Sequence, residues 1–248
     1  MPVACLYDIH GNLPALEAVL EEVRRSEADH IVVGGDVLPG PFPRECLELL
    51  YSQPMPVEFI AGNGERETVT ALRDGVSSAV PEYFHEAMRW NASQLTRHHA
   101  DKIAQWPLTR RLHVGGIGDV VFCHATTRND SEIFTRQTSD ETLMSIFEPL
   151  KAHAVVCGHT HMQHQRTVGT TRIINAGSIG ASFQGAGAYW LLLGPTVQLR
   201  RTYYDVQAAA TRVRATSYPQ AEQFAATSIL EPPTEEATLK LFAGAALK

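Results

Sequence analysis

The sequence predicts an α/β protein in which two packed mixed β-sheets are flanked by helices, a four-layer αββα sandwich. Three observations predict it. β and α signals alternate from residue 3 to about residue 73, the pattern of a doubly wound sheet. The second half adds strands joined by short glycine-bearing turns, which indicates antiparallel pairing and a second sheet. Polar residues of metal-ligand type recur directly after the apolar runs, as expected where strand ends of an open sheet converge on one crevice.

Taken in order, the first strand is expected over 3–7 and the first helix over 13–25, where Leu13, Leu16, Val19, Leu20 and Val23 repeat at helical spacing. Short apolar runs at 31–33, 57–60, 120–123 and 154–157 read as further strands. Residues 75–108 interrupt the alternation: Pro81, a helical stripe of Tyr83, Phe84, Ala87 and Met88, then a second helical segment over 91–106 ending near Pro107. This is the principal insertion. It is either a hairpin of helices covering a sheet or partner, or a cap that selects substrate. Strands follow at 111–114, 118–123, 163–168, 171–174, 188–193 and 197–204, and Asp205 caps a helix through residue 215. One domain is expected over 1–216. The remainder, 217–248, reads as a tail: a linker carrying Pro219 and Glu231-Pro232-Pro233, then a short amphipathic helix over 234–247 that docks in trans or stays mobile.

Composition narrows the function classes. A chain of 248 residues with 44% hydrophobic content is long enough for one sizeable core. Its formal net charge of −6, with no basic tract, argues against an extended nucleic-acid surface while leaving a small nucleotide as a ligand. No apolar run approaches membrane-spanning length, and the opening residues lead straight into the first strand without a leader pattern, so a cytoplasmic setting is expected. Four cysteines without framework spacing agree with a reducing compartment. Cys5, Cys123 and Cys157 precede polar clusters in strands, and Cys46 lies in a helix; all four read as small buried hydrophobes.

Seven side chains carry the chemistry: Asp8 and His10 in Asp-Ile-His-Gly-Asn, Asp36 in Gly-Gly-Asp, Asn63 in Gly-Asn-Gly-Glu, His124, and His159 with His161 in Gly-His-Thr-His. Each cluster follows a strand. His10 and Asp36 are 26 residues apart and Asp36 and Asn63 are 27 apart, close to the roughly 30 of one βαβ unit, so the first three occupy equivalent crossovers. Residues two apart in extended chain face one side, which lets each paired motif offer two donors to one cluster. Seven oxygen and imidazole donors exceed one tetrahedral zinc site and suit two ions of higher coordination number. Such a pair, roughly 3.5–4 Å apart, acidifies water and clamps both oxygens of an in-line displacement, which makes phosphoester hydrolysis the natural reaction. The absence of thiolate and the share of carboxylate and amide point to Mn first, with Fe and Zn as the other candidates. His30, His85, His98, His99, His113, His153 and His164 fit no part of this pattern.

At these residues the chain resembles the calcineurin-like metallophosphoesterase superfamily, and within it the small bacterial and archaeal core-type phosphodiesterases. The resemblance runs over about residues 3–205 and extends to Asn12-Leu13-Pro14-Ala15-Leu16, Gly40-Pro41-Phe42-Pro43 and Asn175-Ala176-Gly177-Ser178-Ile179-Gly180. It implies that Asp8, His10 and His161 bind one metal, that Asn63, His124 and His159 bind the other, that Asp36 bridges, and that a metal-bound hydroxide is the nucleophile. One position departs from the pattern. Many relatives carry a histidine after the Gly-Asn pair, as a phosphoryl contact or general acid, where this chain has Gly64. General acids contribute about 10²–10⁴ in rate, so the loss favours phosphodiesters or nucleotide phosphoanhydrides whose leaving groups need little protonation. A gap at Gly64 would also admit a bulkier substrate group. Glu65 remains, as a brace rather than a proton donor.

The expected partner is therefore a small phosphorylated molecule, with a nucleotide as one candidate, and a homo-oligomer is compatible with everything above. Arg128 and Asn12 are candidate substrate contacts: an arginine in the loop after His124 can grip a phosphate, and Asn12 either donates to it or braces its own helix start. The alternatives are a phosphomonoesterase, or a non-catalytic metal-binding scaffold such as the retromer subunit that resembles this fold.

Overall fold

The computed structural model describes residues 2–243. Three parallel strands, β1 (Val3–Leu6), β2 (His30–Val33) and β3 (Val57–Phe59), form the start of a five-stranded sheet. The hairpin β9 (Ala188–Leu193) and β10 (Val197–Thr202) completes it on the other side of β1, in the order β10-β9-β1-β2-β3. The second sheet holds β4 (Thr109–Val114), β5 (Gly118–Cys123), β6 (Ala154–Cys157), β7 (His164–Val168) and β8 (Thr171–Asn175), in the order β4-β5-β6-β8-β7. Antiparallel pairing was expected where short glycine-bearing turns join strands of this half, and it is found there. β4-β5, β7-β8 and β9-β10 are antiparallel hairpins, whereas β6 runs parallel to both β5 and β8. A long connection carrying α6 (Asp140–Phe147) separates β5 from β6, and a connection of that length makes a crossover instead of a hairpin.

Strand alternation builds the four layers. On β1, Ala4 and Leu6 face the helices with Ile31 and Val33, against α1 (Leu13–Arg25) and α2 (Pro43–Tyr51). Val3, Cys5 and Tyr7 face the other way, and with Val32, Leu191 and Leu193 they meet Val120, Phe122, Ala154, Val156 and Ile174 of the second sheet. The outer face of that sheet, Val121, Cys123, Val155, Cys157 and Ile173, packs on Leu143, Ile146 and Phe147 of α6. All four cysteines are buried and free.

The insertion is helical, but its break falls later than the sequence suggested. α3 (Asn63–Arg73) is followed by α4 (His85–Gln94), which runs through Asn91, and α5 (Arg97–Ile103) starts only after Leu95 turns extended and the Thr96 hydroxyl accepts from His99 N at 3.3 Å. At the other end, Asp205 caps α7 (Val206–Arg214) by accepting from Gln207 N and Ala208 N. The segment read as a linker is not one. From Tyr218 the chain forms α8 (Ala221–Phe224) and runs on as a π-turn over Ala225–Leu230. Tyr218, Ala221, Ala225 and Ile229 pack there on Ala209, Ala210 and Val213 of α7 and on Ala87 of α4. α9 (Glu235–Phe242) then docks on its own chain: Glu235 pairs with Arg136 at 2.7 Å and the Phe242 ring meets Phe183. The end of the expected 234–247 helix lies outside the described residues. Among the described residues no helix is long and apolar enough to cross a membrane.

Candidate metal centre

Tyr7 joins the two sheets beneath the site. Its ring is fully buried, its hydroxyl donates to Val156 O at 3.2 Å, and its flanks lie against Gly34 and Gly158, where any Cβ would overlap the ring. The glycines of Gly-Gly-Asp and Gly-His-Thr-His are thus needed for close approach. They let the loops of both sheets fold over one tyrosine, and this brings their polar residues together.

Two donor groups result. Asp8, His10 and His161 each place one ligand atom within 4.8 Å of the others, and Asp36, His124 and His159 do the same. His10 Nε2 lies 3.1 Å from His161 Nε2. Asp36 Oδ2 stands between the groups, 3.7 Å from His10 Nε2 and 3.5 Å from His124 Nε2, while its Oδ1 accepts from Gly64 N at 2.8 Å. The His159/His161 pair is divided, one histidine to each group. The reason is not the extended backbone that the sequence implied. Asp8, His10, Asp36, His159 and His161 all have left-handed φ, between 45° and 65°, and Lys151 is the one other non-glycine residue of this kind among the described residues. Such conformations cost on the order of 1–3 kcal/mol each and gather where function holds them.

The donors fit divalent ions. Asp8 Oδ1, His124 Nε2 and Asn63 Oδ1 are buried without a hydrogen-bond partner, a state that is costly unless something else satisfies them. Asn63, first residue of α3, therefore presents a bare carbonyl oxygen and lines one cavity with His10, Asp36 and His161. The opposite imidazole nitrogens are anchored on backbone carbonyls: His124 Nδ1 on Gly34 O at 3.0 Å, His161 Nδ1 on Ala181 O at 2.6 Å, His159 Nε2 on Ser131 O at 3.2 Å and His10 Nδ1 on Pro39 O at 3.3 Å. With those nitrogens donating, the second nitrogen of each ring keeps its lone pair for a metal. Protonation agrees. Burial drives His159 down to about 4. Burial alone would raise the Asp8 carboxyl, but His161, His124 and His10 outweigh it and hold it at about 2. Both are therefore in their ligating form at neutral pH.

The surroundings settle several neighbouring residues. Glu65 is fully buried and accepts three backbone N–H groups, from Asp36 at 2.8 Å, Gly62 at 2.8 Å and Leu38 at 3.0 Å, which ties the Asp36 loop to α3. It is a brace. Gly64 leaves no gap for substrate: the place of a Cβ is taken by the Leu38 carbonyl oxygen. Asn12 is fully buried, its amide donating to Gly180 O at 2.9 Å and Tyr204 Oη at 3.3 Å while Oδ1 caps α1 at Ala15 N, so it braces its loop and offers nothing to a substrate. Arg128 forms a two-pronged pair with Glu132 and does not line the cavity over the ligands. Arg66 does line it, positioned by Asp130 through Nε at 2.7 Å and Nη2 at 3.1 Å. The sequence signal for Arg66 was its place one helical turn after Asn63.

That cavity, about 630 Å³, has His10, Asp36, Asn63 and His161 at its polar end. Its far wall comes from Val80, Pro81, Phe84 and Met88 of the insertion and Phe224 of α8. Phe183, which also lines the cavity, stacks on His161 at 4.7 Å.

A four-layer αββα sandwich with two oxygen and nitrogen donor groups at its strand ends is the architecture of a metallophosphoesterase. The chain belongs to the calcineurin-like phosphoesterase superfamily, whose domain model matches residues 1–194. Phosphoester hydrolysis by divalent metals is the general activity of that family. Among solved structures, the fold is similar to a hypothetical protein from Pyrococcus horikoshii OT3 (TM-score 0.78, 18% identity, 94% of this chain and 99% of that one). It is also similar to a metallophosphoesterase from Sphaerobacter thermophilus (0.70, 23%, 92% and 100%) and to an archaeal phosphodiesterase (0.50, 12%, 81% and 99%). No curated protein sequence matches the chain.

Proposed function

We propose that the protein is a two-metal phosphodiesterase acting on a small phosphodiester or nucleotide phosphoanhydride, with Mn the favoured ion. The observation that carries this reading is the position of Asp36 Oδ2 between the two donor groups, under one cavity. Asp8, His10 and His161 would hold one ion, Asn63, His124 and His159 the other, and Asp36 both. When bound, the ions supply an acidified water as nucleophile and positive charge against the phosphoryl oxygens. The chain's own residues supply the rest. Gly64 N–H and Glu65 fix the Asp36 carboxylate and its loop, and Arg66, oriented by Asp130, presents a guanidinium beside the metal end for an anionic oxygen. Besides the ligands, the titratable side chains lining the cavity are Arg66, Glu67 and Tyr218; Glu67 is paired with Arg66, and burial pushes the Tyr218 hydroxyl up to about 12. With no histidine at Gly64, a leaving group that departs with little protonation is the better substrate. Four free, buried cysteines support a cytoplasmic setting.

The test is hydrolysis of bis(4-nitrophenyl) phosphate and 4-nitrophenyl phosphate by metal-stripped protein, with Mn, Zn, Fe and Mg restored singly. Diester cleavage above monoester cleavage, lost in Asp36→Asn, is expected. Silence on both substrates with metal demonstrably bound would replace the enzyme by a metal-binding scaffold.

A further inference from the structure

The metal ligands account for one end of the cavity only. At about 630 Å³ it falls within the roughly 300–1,000 Å³ that takes a drug-sized ligand, far more than a phosphate bearing small groups would fill. The far wall is apolar and aromatic, and Phe84 is 45% exposed despite its place beside a buried site. Large apolar side chains left uncovered at a concave surface mark a binding site.

The wall is built as a fixed part of the fold. Gln220 Nε2 donates to Tyr83 O at 3.1 Å, Trp90 Nε1 donates to Ser217 Oγ at 3.2 Å, and the Trp90 ring meets Tyr218 edge-on at 5.3 Å. These contacts bind the C-terminal segment to the insertion. The π-turn over Ala225–Leu230 serves both sides: Ala225 and Ile229 stay in the core shared with α7, while Thr227 and Ser228 line the cavity next to Phe224. Turns of this kind are frequent at functional sites.

We infer that this wall recognises an aromatic ester group of the substrate, so that the protein selects phosphodiesters carrying a flat ring over small or purely alkyl diesters. The inference rests on the phosphodiesterase reading for its polar end and extends it to the second half of the cavity. Phe84 and Phe224 offer ring faces and edges to such a group, and Met88 a polarizable thioether. Gln223 and Ser228, which line the same cavity, offer polar groups for the edges of a base-like ring.

The experiment is calorimetric binding of diphenyl, dibutyl and dimethyl phosphate to the full-length Mn-loaded protein, wild type and Phe84→Ala/Phe224→Ala. Diphenyl phosphate is expected to bind at least about tenfold tighter than dimethyl phosphate, ~1.4 kcal/mol, with the gap cut to about threefold in the double variant and dimethyl phosphate unaffected. Dibutyl phosphate should side with dimethyl phosphate. Equal binding of all three, a gap that survives both substitutions, or dibutyl matching diphenyl would each overturn the inference. Phe84→Ala alone, at a side chain already nearly half exposed, carries the same comparison if the double variant folds poorly. Turnover of bis(4-nitrophenyl) and methyl 4-nitrophenyl phosphate on the same samples separates the two readings. Selective binding without turnover sinks the phosphodiesterase and keeps the wall, and turnover of both esters with equal binding sinks the wall alone.

Discussion

Gly64 and Glu65 sit side by side at the start of α3 and show how single residues set this site. Glu65 holds three backbone N–H groups, and Gly64 is small because the Leu38 carbonyl lies where its side chain would begin. From the sequence, restoring histidine at Gly64 is the natural way to ask whether a missing acid limits monoester hydrolysis. The structure changes that expectation. Gly64→Ala should destabilise the protein by about 1–3 kcal/mol through overpacking, measured by denaturant unfolding, and Gly64→His should destabilise it too, with no gain in monoesterase turnover. A stable Gly64→His with raised monoesterase activity would show that the loop can move aside. Arg66→Ala should raise KM for a diester several-fold with less effect on kcat, since one charge-assisted contact contributes about 1.5–3 kcal/mol when formed and part of it is recovered by water. An unchanged KM would remove Arg66 from the substrate.

At the level of elements, α4 and the C-terminal segment behave as one unit. Tyr218 is buried between Trp90 and Phe224, and its loss leaves α8 and the π-turn held chiefly by small alanines. Tyr218→Ala should cost about 3–5 kcal/mol locally and raise amide exchange over residues 218–230 well before the sheets are affected, read by hydrogen exchange with mass spectrometry. Uniform exchange across the whole chain would mean that the segment unfolds only with the core. The linker expectation failed here for a definite reason: alanines at 221 and 225 and isoleucine at 229 form a stripe too narrow and too small to read as a core face until α7 supplies its own alanines opposite.

Over the whole molecule, the metal end is a point of stored cost. Five left-handed candidate ligand residues and three unpartnered buried atoms stand where two sheets meet, so ion binding should stabilise the fold as well as enable chemistry. Burial works to lower His124 and His161, but the Asp8 and Asp36 carboxylates overcome it and raise both. Their protonated rings therefore stabilise the metal-free protein fully below the ordinary histidine value of about 6.5, and that contribution is lost as pH rises through the raised values. Metal needs the same rings unprotonated. The gain in Tm on adding Mn²⁺ to chelator-stripped protein should accordingly be larger at pH 8 than at pH 6, and equal gains would refute the coupling. The sequence by itself determined the fold class, the strands and first helix, and which polar residues to consider as candidate donors, because strand alternation, helical spacing and ligand residue types are local properties of the chain. Only the tertiary structure decided the left-handed backbone beneath the candidate ligands, the bracing role of Asn12, the closed space at Gly64 and the wall shared by residues 80–88 and 224. Each of these depends on contacts between segments far apart in sequence, whose geometry no local pattern encodes.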